Sequence, residues 1–133
     1  MTVSDSIGLK NPPQEFQISN DGKRVNNMGY QVVYSVNITE LNYGIENILD
    51  KQYLKYQLSY TDNKGNTVTE PIGTFADLKE NPDGTFLMTK GIQKKNATTD
   101  FKVVIWLSAT APNSEQNKAY TFSFKVNAAI ANV

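Results

Sequence analysis

The chain contains no cysteine and no histidine. Without thiols and imidazoles it has no disulfide, no thiol nucleophile, no zinc site of the usual kind and no imidazole-based catalytic triad. Cysteine-free chains occur in the cytosol and also at cell surfaces, where some proteins fold without oxidation. The missing cysteines therefore exclude several chemistries but leave the compartment open.

The chain also has no excess of charge of either sign. Thirteen basic residues balance thirteen acidic ones among 133 residues. A neutral chain without a basic stripe lacks the electrostatic footprint that nucleic-acid binding requires. No apolar run approaches the ~20 residues of a membrane helix. We therefore expect no nucleic-acid partner and no membrane insertion.

What the sequence has in abundance is alternation of apolar and polar residues with a period of two, which indicates half-buried strands. The clearest strands are predicted at residues 30–38, 54–60, 101–107 and 120–126, and shorter ones at residues 15–19, 67–70 and 85–89. In the strand at 101–107 both faces are partly apolar, because Trp106 is out of phase with Val103 and Ile105. This strand is expected in the middle of a sheet or beneath a loop.

Turn residues separate these runs. Turns are predicted at residues 20–22, 62–66 and 81–84, and residues 58–68 are predicted to form a hairpin around Lys64-Gly65. Helical signals are weak, with a turn or two expected within residues 46–55 and 74–78. Seven to eight short strands with short helical turns predict an all-β protein, a β-sandwich of jelly-roll or Greek-key kind.

The predicted core and domain limits follow from the same alternation. One shared core is expected to contain the apolar phase of each strand: Tyr34, Val36, Leu54, Tyr56, Leu58, Val103, Ile105, Phe122 and Phe124. The sandwich is predicted at residues 14–127. Residues 1–13 are predicted to be an extended segment, and residues 128–133 a small-residue tail with little to pack against.

No constellation of residues indicates catalysis. The sequence has no Gly-x-Ser-x-Gly elbow and no glycine-rich phosphate loop. Its acids, including Asp50, Asp62, Asp77, Asp83 and Asp100, lie almost all at strand ends and turns, where aspartates usually cap their own backbone. The loop at residues 62–66 carries Lys64 where a calcium loop needs oxygen ligands, so a hairpin turn is the better interpretation. We expect no enzyme activity, no metal and no cofactor.

Aromatic residues allow one binding hypothesis. Trp106 and the seven tyrosines are able in principle to form a platform on which sugars stack. Most of the tyrosines lie on the apolar phase of a strand, which favours core packing. Trp106 is the exception.

Residues 2–9 alternate like a strand although they precede the domain. Val3, Asp5, Ile7 and Leu9 alternate with small or polar residues, and Pro12-Pro13 then stiffens the chain. Such a segment is suited to pair with the open sheet edge of a neighbouring copy, with Val3, Ile7 and Leu9 as the assembly interface. A strand within its own sandwich and a disordered tail are the alternatives.

Part of the chain resembles a group of secreted bacterial proteins. The features are residues 46–58 before a hairpin, residues 72–78, a strand ending Ile105-Trp106-Leu107, and a loop from Asn113 to Lys118 that leads into a last amphipathic strand. This order resembles small surface and biofilm-fibre proteins of the camelysin and TasA kind, over about residues 28–127. The chain departs from that group at residues 108–110, which are Ser-Ala-Thr where relatives often carry an acid.

The resemblance implies a jelly-roll-like sandwich that is secreted or displayed at the cell surface. It implies a structural subunit of an extracellular filament or matrix that associates with itself, with a matrix polysaccharide as a further candidate partner. The opening Met1-Thr2-Val3 fits a native start and equally a start added to a mature secreted form. A viral or phage coat protein and a carbohydrate-binding module remain alternatives with the same fold.

Overall fold

A computed structural model describes residues 2–20, 31–42, 47–94 and 97–131. Within these ranges the strands are β1 (Gln14–Ser19), β2 (Gln31–Glu40), β3 (Leu54–Asp62), β4 (Thr67–Thr69), β5 (Gly73–Thr74), β6 (Lys79–Glu80), β7 (Phe86–Gln93), β8 (Thr98–Leu107) and β9 (Phe122–Ala131). One short helix, α1 (Asp5–Gly8), precedes them. Three 3-10 turns lie at Lys51–Tyr53, Phe75–Asp77 and Asn113–Glu115.

The strands form two antiparallel sheets. In sheet A the order is β1-β8-β3-β4, and β5 also pairs with β3. In sheet B the order is β6-β7-β2-β9. Because neighbours in space are mostly not neighbours in sequence, the chain crosses between the sheets repeatedly, as in Greek-key folds. The all-β sandwich expected from the sequence is confirmed.

The core lies between the sheets and contains the residues that the alternation predicted. Five of them are buried and four are partly buried against the same cluster: Tyr34, Val36, Leu54, Leu58 and Val103, then Tyr56, Ile105, Phe122 and Phe124. Phe101 and Phe75 lie at its centre, with exposed fractions of 0% and 1%. Phe75 was not in the predicted core, because it lies in a 3-10 turn where no strand periodicity marks it.

Two predicted turns are confirmed in detail. Gly65 has φ 85° and Gly84 has φ 87°, the left-handed region that favours glycine. Asp62 N donates to Asn66 O across the β3–β4 hairpin at 3.0 Å, and Asn81 N donates to Thr85 O at 2.7 Å. Two 3-10 turns also fall inside the segments predicted to be helical. The predicted turn residues Asp21 and Gly22, like Tyr30, lie outside the described residues.

The predictions for the two ends of the chain are wrong in one point each. Residues 128–131 are not a tail, because β9 continues to Ala131 and pairs with β2 along its whole length. The hydrogen bonds of a strand join backbone groups and do not require alternating side chains. The small residues at 128–131 therefore gave no sign in the sequence that the strand continues. Residues 1–13 are not simply extended either, since Asp5–Gly8 form α1.

Candidate functional site: the docked N-terminal segment

Trp106 lies on the outer face of sheet A and is nevertheless buried. Its neighbours Val103 and Ile105 belong to the core side of β8, whereas Trp106 lies opposite Lys55 of β3 on the other side. Only 3% of Trp106 is exposed. The cover over this indole is the chain's own N-terminus. The sequence predicted that the strand would lie mid-sheet or beneath a loop, and both are found.

The covering piece, residues 3–11, is called the N-terminal segment. Its helix α1 begins after Ser4, and Ile7 N and Gly8 N both donate to Ser4 O, at 3.1 and 2.8 Å. Gly8 is buried directly against the indole, and a Cβ on residue 8 would overlap Trp106 Cγ. A glycine is therefore required here for space.

A carboxylate joins the segment to both strands beneath it. Asp5 Oδ1 accepts from Lys55 Nζ at 3.0 Å and from Trp106 Nε1 at 3.1 Å. The hydrogen bond from Lys55 is the main cause that lowers the pKa of Asp5 below its ordinary value of 3.8; partial desolvation opposes this, and the Trp106 bond adds to it. Asp5 is therefore ionised at neutral pH and forms an ion pair with Lys55.

The segment also contacts the part of β8 that β1 leaves unpaired. The β1–β8 ladder ends at the pair Gln14↔Val103. Beyond it, Asn11 Nδ2 donates to Ile105 O at 2.9 Å and Val3 N donates to Leu107 O at 3.0 Å. Val3 also forms an isolated parallel bridge with Ser108. The segment thus satisfies backbone groups at an otherwise open sheet edge.

The three residues predicted as an assembly interface are not brought together in one pocket. Val3 is half-buried at the edge of β8. Ile7 is 55% exposed and Leu9 is 38% exposed, so both lie on the outer surface of the docked segment. Their role in assembly stays a prediction. Sequence reasoning missed the residues that hold the segment, Asp5, Gly8 and Lys55, because their roles depend on contacts across the fold.

Four of the five aspartates named from the sequence cap their own backbone, as predicted, whereas Asp100 lies within β8 and accepts from Gln17 Nε2. Asp62 Oδ1 accepts from Lys64 N and from Asn66 N, both at 2.9 Å. Asp83 Oδ1 accepts from Thr85 N at 3.0 Å. The same pattern is found at the other two turns, where Gln52 N donates to Asp50 Oδ1 and Thr74 N donates to Asp77 Oδ2. These acids are therefore occupied in structural hydrogen bonds.

Among the described residues, Tyr120 has a pKa well above the ordinary value for a phenol. Burial is the main cause that raises its pKa, and the hydrogen bond from Tyr120 Oη to Glu40 Oε2, 2.7 Å long, raises it further. Lys51 Nζ lies 3.2 Å from the same carboxylate oxygen and 4.0 Å from the centre of the Phe86 ring. Through the hydrogen bond of this phenol, the cluster ties β2 to the loop before β9.

One surface depression lies over β1 and β8, and its polar groups are paired with each other: Gln17 Nε2 donates to Asp100 Oδ1, and Lys102 lies 3.6 Å from Glu15. Across the described ranges there is no group of three or more acids, histidines or cysteines that is placed to hold a metal ion. No helix in these ranges is long and apolar enough to cross a membrane.

Comparisons of the chain with protein-family models, with curated proteins and with solved structures give no match.

Proposed function

We propose that this protein is a structural subunit of an extracellular bacterial filament or matrix, and that its copies assemble head-to-tail by exchanging N-terminal segments. The observation that supports this most is the docking of residues 3–11 on Trp106 and Lys55. The segment precedes the sandwich in the chain and contacts it through a small set of side chains.

The conformation of the segment depends on its site. A helix of four residues is too short to persist alone, since isolated helices below ~12 residues are marginal in water. Without Trp106 and Lys55 beneath it, α1 has no reason to form. Once released, the segment can become extended, and the alternation of Val3, Asp5, Ile7 and Leu9 with small or polar residues suits an extended strand.

The site can be used equally well by a second copy. The hydrogen bonds between the segment and the sandwich are made to groups on β3 and β8, namely Lys55, Trp106 and the carbonyl groups of Ile105 and Leu107. The segment of a neighbour presents the same atoms, so the hydrogen bonds that break within one chain form again between two chains. This is the energetic basis of domain swapping.

Pro12 and Pro13 supply the connection that such an exchange needs. Both are exposed and lie between Asn11 and the start of β1. Neither has a backbone N–H, so reorientation of the chain at this point breaks no hydrogen bond donated by them. Two consecutive prolines also favour a stiff, extended chain that directs the segment away from its own domain.

Head-to-tail exchange leaves one empty site at one end of an assembly and one undocked segment at the other. Because it does not close, it grows into filaments. Ile7 and Leu9 are exposed on the docked segment, so exchange that reproduces this docking keeps them at the surface of the assembly. Secretion to the cell surface and contact with a matrix polysaccharide belong to the same proposal, and their support is the sequence resemblance.

The test is deletion of residues 1–11. The full chain and the truncated chain are concentrated in parallel and compared by sedimentation and electron microscopy, with circular dichroism to check that both keep their β-structure. Filaments are expected from the full chain only. Filaments from both chains, or from neither, would refute segment exchange, and closed shells would favour a coat protein.

A peptide of residues 1–11 provides a matched control. Added to the truncated protein, it should shift the fluorescence of Trp106, the only tryptophan, to shorter wavelength as it covers the indole. The same peptide with Gly8→Ala should not, because the added methyl group overlaps the ring. Equal shifts with both peptides would show that the site does not recognise the segment.

A further inference from the structure

Strand β9 ends sheet B and has a partner on one side only. It pairs with β2 from Gln31↔Ala131 to Glu40↔Phe122, and no other described strand pairs with it. Most of its side chains are exposed, and Val126 has an exposed fraction of 44%. Among the described residues, the other side of β9 is therefore a sheet edge without a partner, ten residues long.

The register identifies which backbone groups are available at this edge. Leu41 N donates to Thr121 O at 2.8 Å, which places the hydrogen-bonded pairs of the β2–β9 ladder at odd-numbered residues of β9. Even-numbered residues therefore direct their N–H and C=O groups away from β2. These are Phe122, Phe124, Val126, Ala128 and Ile130.

Strand β9 lacks the features with which proteins usually protect such edges. It contains no proline, and its only charged residue is Lys125. Lys125 Nζ lies 3.5 Å from Asp83 Oδ2 of its own domain, so the charge is drawn towards a loop of the same chain. By contrast, β1 follows Pro12-Pro13 and carries Glu15, and β6 covers the start of β7.

We infer that β9 pairs with β9 of a second copy, antiparallel, about a two-fold axis at Val126. In this register the backbone N–H and C=O groups of Val126 face those of Val126 in the second copy. The same groups of Phe124 face those of Ala128 in the second copy. Lys125 lies opposite the neutral Asn127. A parallel, in-register pairing would instead place Lys125 directly opposite Lys125, which is unfavourable. Antiparallel pairing with a second copy therefore joins two B sheets into one without opposing like charges.

This interface is independent of the proposed segment exchange. The N-terminal segment docks on sheet A, whereas β9 belongs to sheet B. Segment exchange extends an assembly along one direction, and a two-fold contact through β9 links copies sideways. Together they would convert single filaments into a laterally connected matrix.

The test uses single cysteines introduced into the full chain, which has none of its own. Val126→Cys places the thiols of two copies opposite each other, with Cα atoms ~5.5 Å apart in a hydrogen-bonded antiparallel pair, within the range of a disulfide. Ser123→Cys is the matched control, since residues three positions from the axis lie ~20 Å from their equivalents. Mild oxidation should give a covalent dimer with Val126→Cys and not with Ser123→Cys.

A second variant tests the backbone contact itself. Ala128→Pro removes an N–H that points to the open edge, so it leaves the bonds to β2 in place. Combined with Val126→Cys, it should abolish the covalent dimer while circular dichroism stays unchanged. Equal dimer yields with Val126→Cys and Ser123→Cys, no dimer with either, or a yield unaffected by Ala128→Pro would each overturn the β9 pairing. Because all of these proteins keep residues 1–11, failure here leaves segment exchange untouched.

Discussion

The backbone of Gly8 lies directly against the indole ring of Trp106, leaving no space for a side chain at residue 8. Trp106 occupies the outer face of a sheet and is still buried, since only 3% of it is exposed. The close approach of the N-terminal segment to Trp106 therefore requires a residue without a side chain at position 8.

Gly8→Ala should release the segment from sheet A. A methyl group forced into a filled space typically costs about 1–3 kcal/mol, and here the segment can avoid this cost by leaving. We expect the emission of Trp106 to move to longer wavelength and proteolysis near residues 5–11 to accelerate, with little loss of global stability.

Ile7→Ala is the matched control for this change, since Ile7 lies in the same helix and is 55% exposed. It should leave the fluorescence of Trp106 as in the unaltered protein. Identical spectra for Gly8→Ala and the unaltered protein would contradict the docked arrangement.

Acid should release the segment through Asp5. Its pKa is lowered in the folded protein, chiefly by the hydrogen bond from Lys55, from an ordinary value of 3.8. A lowered folded pKa means that the stabilisation is fully present above 3.8 and is lost as the pH falls through the lower, folded value. The fluorescence of Trp106 should therefore shift to longer wavelength in this acid range.

Asp5→Asn separates this effect from acid unfolding of the whole domain. The amide oxygen still accepts from Trp106 Nε1, but the charge that pairs with Lys55 is gone. The variant should dock more weakly at neutral pH and lack the acid-dependent step assigned to Asp5. An unchanged acid titration in Asp5→Asn would assign the transition to other carboxylates.

Truncation in the core should affect the whole domain. Leu58 has an exposed fraction of 0%, and Leu58→Ala should lower the free energy of unfolding by about 2–5 kcal/mol. Val68→Ala, at a residue of sheet A that is 46% exposed, should have a much smaller effect. Denaturant unfolding measures both, and similar losses of stability at the two positions would contradict the assigned inner face of sheet A.

The fold was predictable to the extent that burial alternates along a strand. Tyr34, Val36 and Leu58 lie on the apolar phase and in the core, and the β3–β4 hairpin follows from Gly65 in its turn. Strand β9 shows the limit of this reasoning: residues 128–131 pair through their backbone, which no side-chain pattern records. Phe75 shows another limit, because a single buried aromatic residue in a 3-10 turn has no periodicity.

The candidate site was predictable only in part. Trp106 was recognised as out of phase and the N-terminal segment as separate from the sandwich, but nothing in the sequence connected them. The contact between Asp5 and Trp106 joins residues separated by 101 positions. The alternation of Val3, Ile7 and Leu9 predicted an extended strand, whereas contacts with Trp106 and Lys55 favour a helical turn in the docked state.

Charge exchange between Asp5 and Lys55 tests segment exchange most directly. Asp5→Lys and Lys55→Asp each place like charges at the contact that is now an ion pair of 3.0 Å, so neither variant alone should form filaments. In an equimolar mixture, the segment of the Asp5→Lys variant places a lysine beside the aspartate in the site of the Lys55→Asp variant. The segment of the Lys55→Asp variant keeps Asp5, and the site of the Asp5→Lys variant keeps Lys55, so these two form the natural pair. The account predicts that electron microscopy shows filaments in the mixture and not in either variant alone. Filaments from either variant alone, or none from the mixture when the unaltered protein forms them, would contradict it.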